Sequence, residues 1–546
     1  MPVIPKSFPS RPRSALRLRK SAPIALGALM VALLPSAPAA AGAPAVLFTD
    51  ATADAGLTYQ HGDVPPTDLA QFMGGGVAAG DFDGDGWVDL YVVAGTAGTN
   101  LLLRNLGDGT IEDVAAAAGV DLTGTAGSGP TFADLDGDGH LDLVIGDPRG
   151  GQPWLFRNRG DGTFEDRSAG SGLPVFPRVF SIAAGDVDLD GDLDLFFSQW
   201  NVDPADVLWR NDGGLTFSSA TAEVLGAAND ALLRTFTPNF VHLDDDGWPD
   251  LVVASDFDNS QVLLSNGDGT LRLATDPAVI VDQNGMGAAV GDFDGDGHMD
   301  WFVSSIYNPS DPFYQLGNRL YRNLGDGTFD DVTETAKVKH GHWGWGSCMA
   351  DLDNDGLLDI FHVNGWRDPP YDTDPARLFL QGQDGSFAEE ADACGVDDPG
   401  QGRGVVCFDY DRDGDLDLFV ANNSGAPRLF RNDGGVALGG LVTVALRSGG
   451  DNPFGVGARL TLESDGQLQV REMRAGSHYA SQNPAEVYFG LGSAEGAEIL
   501  TVGWPNGSRS VATGLAAGER LVVDRSLLFS SSFEAGSLVG WSQIFP

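Results

Sequence analysis

Seven short stretches of this 546-residue chain set carboxylates at alternate positions around a glycine. The first reads Asp81-Phe82-Asp83-Gly84-Asp85-Gly86-Trp87-Val88-Asp89. Carboxylates at positions 1, 3 and 5 of such a loop converge on one point. Glycine at position 6 permits the sharp turn, the carbonyl of position 7 adds an oxygen, and the Asp at position 9 closes the cage from the next strand. An anionic, all-oxygen, adaptable cage suits a hard cation such as Ca2+. The expected ligands are therefore Asp81, Asp83, Asp85 and Asp89 in the first loop, Asp134, Asp136, Asp138 and Asp142 in the second, and Asp186, Asp188, Asp190 and Asp194 in the third. Asp244, Asp246 and Asp250 follow in the fourth, then Asp292, Asp294, Asp296 and Asp300 in the fifth. Asp351, Asp353, Asp355 and Asp359 serve the sixth, and Asp409, Asp411, Asp413 and Asp417 the seventh. His242 replaces the first Asp of the fourth loop and Asp245 adds an acid. Imidazole suits Ca2+ poorly, so this loop is expected to bind most weakly and the chain to hold six or seven ions.

The plainer reading is a set of solvated Asp-Gly turns. The loops hold 30 of the 77 Asp and Glu residues, which weighs against it. Two carboxylates about 4 Å apart repel by roughly 1 kcal/mol even in water, so four or five in one loop call for a counter-charge. An EF-hand shares the first half of the pattern but needs a Glu at position 12 and flanking helices. Here position 9 runs straight into strand-like residues, as in DLYVV at 89–93 and DLFVA at 417–421.

What positions these loops is a repeat. Their start-to-start spacings are 53, 52, 56, 50, 59 and 58 residues, the mark of a recurring supersecondary unit. Each unit has a Gly-rich apolar run, the Asp loop, a second run, a third such as Leu101-Leu102-Leu103-Arg104-Asn105, often a Gly-Asp-Gly-Thr turn, and a short fourth run. Four short strands per unit describe a propeller blade. The fold class is thus all-β, a seven-bladed β-propeller over 42–435 followed by a second, smaller β-domain over 436–525 and a Ser-rich tail over 526–546. The seventh unit lacks a fourth strand, whereas residues 46–52 carry a fourth-strand signature with no unit before it. The N-terminal strand should complete the last blade and so remove exposed sheet edges. The smaller domain has seven Arg and nine acids and is nearly neutral.

The formal net charge of −45 argues against nucleic-acid partners and anionic membranes. Residues 1–41 have the form of a secretory signal peptide: basic residues from Lys6 to Lys20, a short apolar run at 24–34, and small residues at 37–41. Cleavage would remove six positive charges, take the net charge to −51 and place the protein outside the cell, in the periplasm or on the surface. No later segment could span a membrane as a helix. The sequence has no nucleophile elbow, P-loop, H-E-x-x-H or C-x-x-C motif. His340-Gly341-His342, with His362 one strand away, is the best transition-metal candidate against a plain loop into a strand. His140 and His298 fall at position 7, where only the backbone is needed. Cys348, Cys394 and Cys407 have a structural setting. Spacing on successive strand signals predicts a Cys394–Cys407 disulfide with Cys348 free.

With these residues in hand, the propeller resembles the FG-GAP/VCBS repeats also seen in integrin α chains. The smaller domain looks like ASPIC/UnbV, through Gly455-Val456-Gly457-Ala458-Arg459, Ser481-Gln482, Phe489-Gly490-Leu491-Gly492 and Val502-Gly503-Trp504-Pro505-Asn506-Gly507. Their pairing is similar to the cartilage acidic protein family and its bacterial relatives. The resemblance implies a secreted, calcium-binding adhesion or matrix module with an unidentified protein or glycan ligand, and supplies no reaction. The alternative is an extracellular lyase or hydrolase on polysaccharide, sited at the channel mouth. Topology puts the Asp loops and the Gly-Asp-Gly-Thr turns on one face. The longer loops opposite carry Trp200, Tyr307, Phe313, Tyr314, Trp343, Trp366 and Tyr371, which either bind a ligand or pack between blades.

Overall fold

The computed structural model describes residues 46–525 apart from 63–67, 96–97, 202, 204, 206, 435–439, 451 and 477. The expected signal segment and Ser-rich tail lie outside the described residues. Alternating apolar runs bounded by Gly-rich turns form successive four-stranded antiparallel sheets, seven in all. In blades 1 to 6 the four strands follow chain order as a meander, whereas blade 7 takes its outermost strand from the other end of the chain. First strands are buried along their whole length, as in Val179–Gly185 and Gly402–Phe408, apart from half-buried Met349 in blade 6. Fourth strands such as Ile111–Asp113 are three residues long and largely open.

The first strands contact one another from blade 1 to blade 7 and back to blade 1, forming a closed ring. Closure is completed as expected. Phe48–Asp50 pairs antiparallel with Arg428–Asn432, with Phe48 opposite Asn432, and supplies the fourth strand of blade 7. The first strands approach so closely that Gly129, at φ +58°, could not carry a Cβ: it would fall 2.5 Å from the Phe180 carbonyl.

The smaller domain has two sheets. Leu441–Arg447 lies between Glu486–Gly490 and Arg520–Asp524, and Arg459–Ser464 lies between Gln467–Glu472 and Gly496–Gly503, with Arg509–Ala516 outermost. Leu446, Leu460, Phe489, Leu500 and Trp504 form its shared core. Residues 474–476 and 478–484 leave this domain and enter the ring. Ser481–Gln482 adds to Val77–Gly80 as a parallel fifth strand of blade 1. The Gln482 amide bonds both the N–H and the carbonyl of Phe132, at 2.7 Å each. Asn483 Oδ1 accepts the Cys407 N–H at 3.0 Å, and Arg474 donates to the Val290 carbonyl at 2.6 Å. The Tyr479 hydroxyl donates to the Met73 carbonyl at 2.6 Å. First strands of blades 1, 2, 5 and 7 thus bond a segment that fills the channel.

The disulfide differs from expectation. Cys348 bonds Cys407, and Cys394 is free and buried. Cys394 ends the short helix Ala391–Cys394 rather than standing on a strand. Cys348 and Cys407 sit on first strands of neighbouring blades at near-equivalent repeat positions, so 59 residues of chain return to a Cα–Cα distance of 6.6 Å.

Candidate metal centres

Each Asp loop joins the first and second strands of its blade. Position 1 binds across the loop: Asp81 Oδ2 accepts the Gly86 N–H at 3.0 Å, and Asp351 Oδ2 that of Gly356 at 2.8 Å. Gly86 stands at φ +92°, a conformation a side chain would strain. Position 5 caps the exit, with Asp85 Oδ1 accepting the Trp87 N–H at 2.9 Å. Position 9 is buried in every loop. One of its oxygens accepts the position-2 N–H and the other an N–H of the third strand, at 2.7–3.2 Å throughout. These Asp residues anchor the loop and keep one lone pair per oxygen.

Carboxylate oxygens from Asp81, Asp83 and Asp85 lie within 4.8 Å of one another, as do those from Asp186, Asp188 and Asp190 and from Asp351, Asp353 and Asp355. In the second and fifth loops position 9 joins instead of position 5, giving Asp134, Asp136 and Asp142, and Asp292, Asp294 and Asp300. Within these cages the Oδ1 atoms of Asp81, Asp136, Asp188, Asp292, Asp351, Asp409 and Asp411 are buried and meet no hydrogen-bond donor. Burial, with neighbouring carboxylates adding to it, pushes Asp81 up to about 6, Asp186 to about 7 and Asp351 to about 8, the last against the opposing pull of the Arg471 guanidinium. Asp300 rises to about 9, again chiefly through burial. Buried acceptors that face one another without donors fit a divalent cation, which removes both the repulsion and the unmet hydrogen-bonding demand.

Two recurring residues went unnoticed in the sequence. Arginine near the end of the third strand braces the outer oxygens: Arg104 reaches Asp83 at 2.7 Å and Asp85 at 3.0 Å, and Arg210 reaches Asp188 at 3.0 Å. Each grips Oδ2, and in Asp188 Oδ1 is left facing inward. The next residue locks blade to blade. Asn158 Nδ2 donates to the Phe82 carbonyl of the preceding blade at 2.8 Å, and Asn211 does the same to Leu135. Asn323, Gln381 and Asn432 repeat it, and Asn105 closes the circle on Tyr410 at 2.8 Å. The signal was the Arg-Asn pair at 104–105, 157–158, 210–211, 322–323 and 431–432. The fourth blade has Leu264-Ser265 instead.

On the opposite face the aromatic residues divide. Trp200, Tyr314, Trp343 and Trp366 pack against the ring core, while Phe313 is 72% exposed. Trp343 stacks on Trp366 with centroids 4.8 Å apart, and Trp345 continues the column to Tyr479. His342, at φ +65° and half-exposed, places Nδ1 2.8 Å from the buried Asp374 carboxylate. His340 stacks on Tyr307 and His362 is buried beside Asn318. The three histidines therefore point to separate partners.

Residues 448–526 match the family described as ASPIC and UnbV. Segments 81–145, 134–197, 242–303 and 309–362 match the FG-GAP-like repeat. Cartilage acidic protein 1 of Xenopus tropicalis is 26% identical over 498 residues, covering 83% of this chain and 74% of that protein. Its Homo sapiens counterpart is 26% identical over 482 residues, covering 80% and 70%. Integrin alpha-V of Gallus gallus is 27% identical over 213 residues, 34% of this chain and 20% of that protein. The chain thus carries FG-GAP-like repeats and a C-terminal ASPIC and UnbV domain, and is similar to cartilage acidic protein 1 over most of its length.

Proposed function

We propose that this chain is an extracellular, calcium-holding binding module that presents the face opposite its Asp loops to a protein or glycan. The buried, donor-free carboxylate oxygens of the Asp loops carry the reading. Positions 1, 3 and 5, the position-7 carbonyl and the position-9 Asp would hold Ca2+, which supplies the counter-charge that lets the cages stay ionised. The partial match to integrin alpha-V supports an adhesion-type role. Secretion after removal of 1–41 is part of the proposal, and the Cys348–Cys407 disulfide supports an oxidising compartment. So are the boundaries 42–435 and 436–525. Among the described residues no helix is long and apolar enough to cross a membrane.

Elemental analysis of the purified protein, and thermal melts with and without a strong chelator, test the cation. Absent calcium with an unchanged melt overturns it. A screen of glycans and matrix proteins, repeated with chelator, tests the binding role. Alanine variants of Tyr314, Trp366 and Tyr371 then separate contact from packing. Binding that survives while folding collapses would remove these residues from the ligand face.

A catalytic reading is favoured by one observation. Asp374 is buried, also accepts the Trp343 N–H at 3.0 Å, and fixes a half-exposed His342 with Nε2 directed away from it. An imidazole oriented by a buried carboxylate is the arrangement of a general base. Because the channel is filled, such a site would lie on the surface of blades 5 and 6. Turnover of soluble polysaccharides lost in His342→Gln, with the fold intact, would establish it; no turnover by the parent protein would exclude it for those substrates.

A further inference from the structure

The fourth Asp loop is built unlike the other six. Among the described residues, each of the other loops contains at least one buried carboxylate oxygen with no donor, and the fourth contains none. Asp244 is half-buried and Asp246 exposed, much as positions 3 and 5 are in the other loops, and the added Asp245 is exposed. Asp250 accepts the Leu243 and Ser265 N–H groups at 2.8 and 2.7 Å, as position 9 does in every loop. Ser265, at the position where the other six blades carry Asn or Gln, has no side-chain amide to bond the neighbouring blade, and its hydroxyl accepts the Gly267 N–H.

The loop touches the C-terminal domain through both of its departures from the repeat, whereas the sixth loop meets that domain through its backbone, the Asn354 carbonyl accepting the Gly492 N–H at 2.8 Å. The His242 N–H donates to both Glu472 oxygens at 3.3 and 3.4 Å, and His242 Nδ1 lies 3.2 Å from Oε1. The Glu472 side chain is 1% exposed. Asp245, the added acid, pairs with Arg459 at 3.5 Å. The same guanidinium bonds the Gly297 carbonyl of the fifth loop. Both departures from the repeat, the His and the extra Asp, thus face partners on the strands Arg459–Ser464 and Gln467–Glu472.

We infer that the fourth loop is not a cation site but the latch that seats the C-terminal domain on the propeller, so that the chain holds six divalent cations rather than seven. The physical reason is ligand commitment. Ca2+ takes six to eight oxygens, and this loop has replaced its position-1 carboxylate with an imidazole engaged by Glu472. A carboxylate at 242 would instead set two like charges against each other at the joint. The count of six rests on the calcium reading above; the latch rests on the contacts alone.

The test uses the full chain equilibrated with CaCl2 and freed of excess ion, with calcium per chain measured by elemental analysis. Six ions are expected in the parent, six in Asp244→Asn and Asp246→Asn, and five in Asp136→Asn. Hydrogen exchange at 242–250 and 456–474 reads the latch: it should quicken in His242→Gln and in Arg459→Gln, with the ion count still six. Seven ions in the parent, or loss of one in Asp244→Asn or Asp246→Asn, overturns the inference. So does unaltered exchange in both latch variants. Zero ions in every protein overturns the count together with the calcium reading, which a count of seven would leave standing.

Discussion

Replacing Asn105 with alanine cuts the bond that joins blade 1 to blade 7. Asn105 is 2% exposed, and its Nδ2 donates to the Tyr410 carbonyl at 2.8 Å. Its Oδ1 accepts the Gly107 N–H at 3.0 Å, which holds the turn after the third strand. Its own N–H, bound to Asp89 at 2.8 Å, survives the substitution. Leaving one buried carbonyl unpaired costs about 1–3 kcal/mol, and the lost turn bond about 0.5–1.5 kcal/mol. The expected total is therefore about 1.5–4.5 kcal/mol, measured by equilibrium urea unfolding in saturating Ca2+ with tryptophan fluorescence as readout. Ser265→Ala is the control: Ser265 occupies the equivalent position and bonds only the Gly267 N–H, at 3.0 Å, so its loss should stay near 1 kcal/mol. A loss under about 0.5 kcal/mol for Asn105→Ala, or one no larger than the control's, would refute the inter-blade lock as a determinant of ring stability.

Deleting residues 44–57 removes buried Val46, Phe48, Ala51, Ala55 and Leu57 together with the closing strand. Melting of the whole ring should fall in one cooperative step, and full retention of the parent's thermal stability would contradict closure. Without Ca2+, the folded state raises the cage carboxyls, such as Asp186 to about 7 and Asp351 to about 8, above their usual range. The protonated cage is then the stable one, so chelator-treated protein should lose stability as pH rises from about 4 to about 8. Added Ca2+ should remove that loss, and a chelated protein equally stable at both ends would disprove the cage electrostatics. Alkylation of the denatured, unreduced protein should label one thiol, Cys394. Cutting the Cys348–Cys407 bond, which closes a span of 59 residues, should cost about 4 kcal/mol in a chain-entropy estimate. Labelling of Cys348 or Cys407 would refute the pairing.

Periodicity carried much of the molecule. Asp loops about every 50 residues, each followed by an alternating apolar run, specify a strand–turn–strand unit locally. A unit with no fourth strand, matched by an orphan strand signature at 46–52, is a statement about closure that needs no coordinates. The donor chemistry of the cages was equally local, because Asp at alternate positions around a glycine turns its carboxylates inward whatever surrounds it. Contacts between units were hidden. Asn105 meets Tyr410 across 305 residues, and Cys348 meets Cys407 across 59, because the ring superposes like positions of neighbouring repeats. Reading Cys394 against Cys407 followed closeness in sequence, where closeness in repeat phase governed the pairing.

The repeat pattern by itself determined the blade, the loop and the order of elements, since these depend on interactions within about 50 residues. It could not show that residues 478–484 enter the ring, that the aromatic residues at 343, 345 and 366 form one column ending on Tyr479, or that His242 faces Glu472. Each of these joins surfaces far apart in the chain. Nothing in their local pattern distinguishes a side chain turned to solvent from one turned to a partner domain, and only the folded arrangement brings the two together.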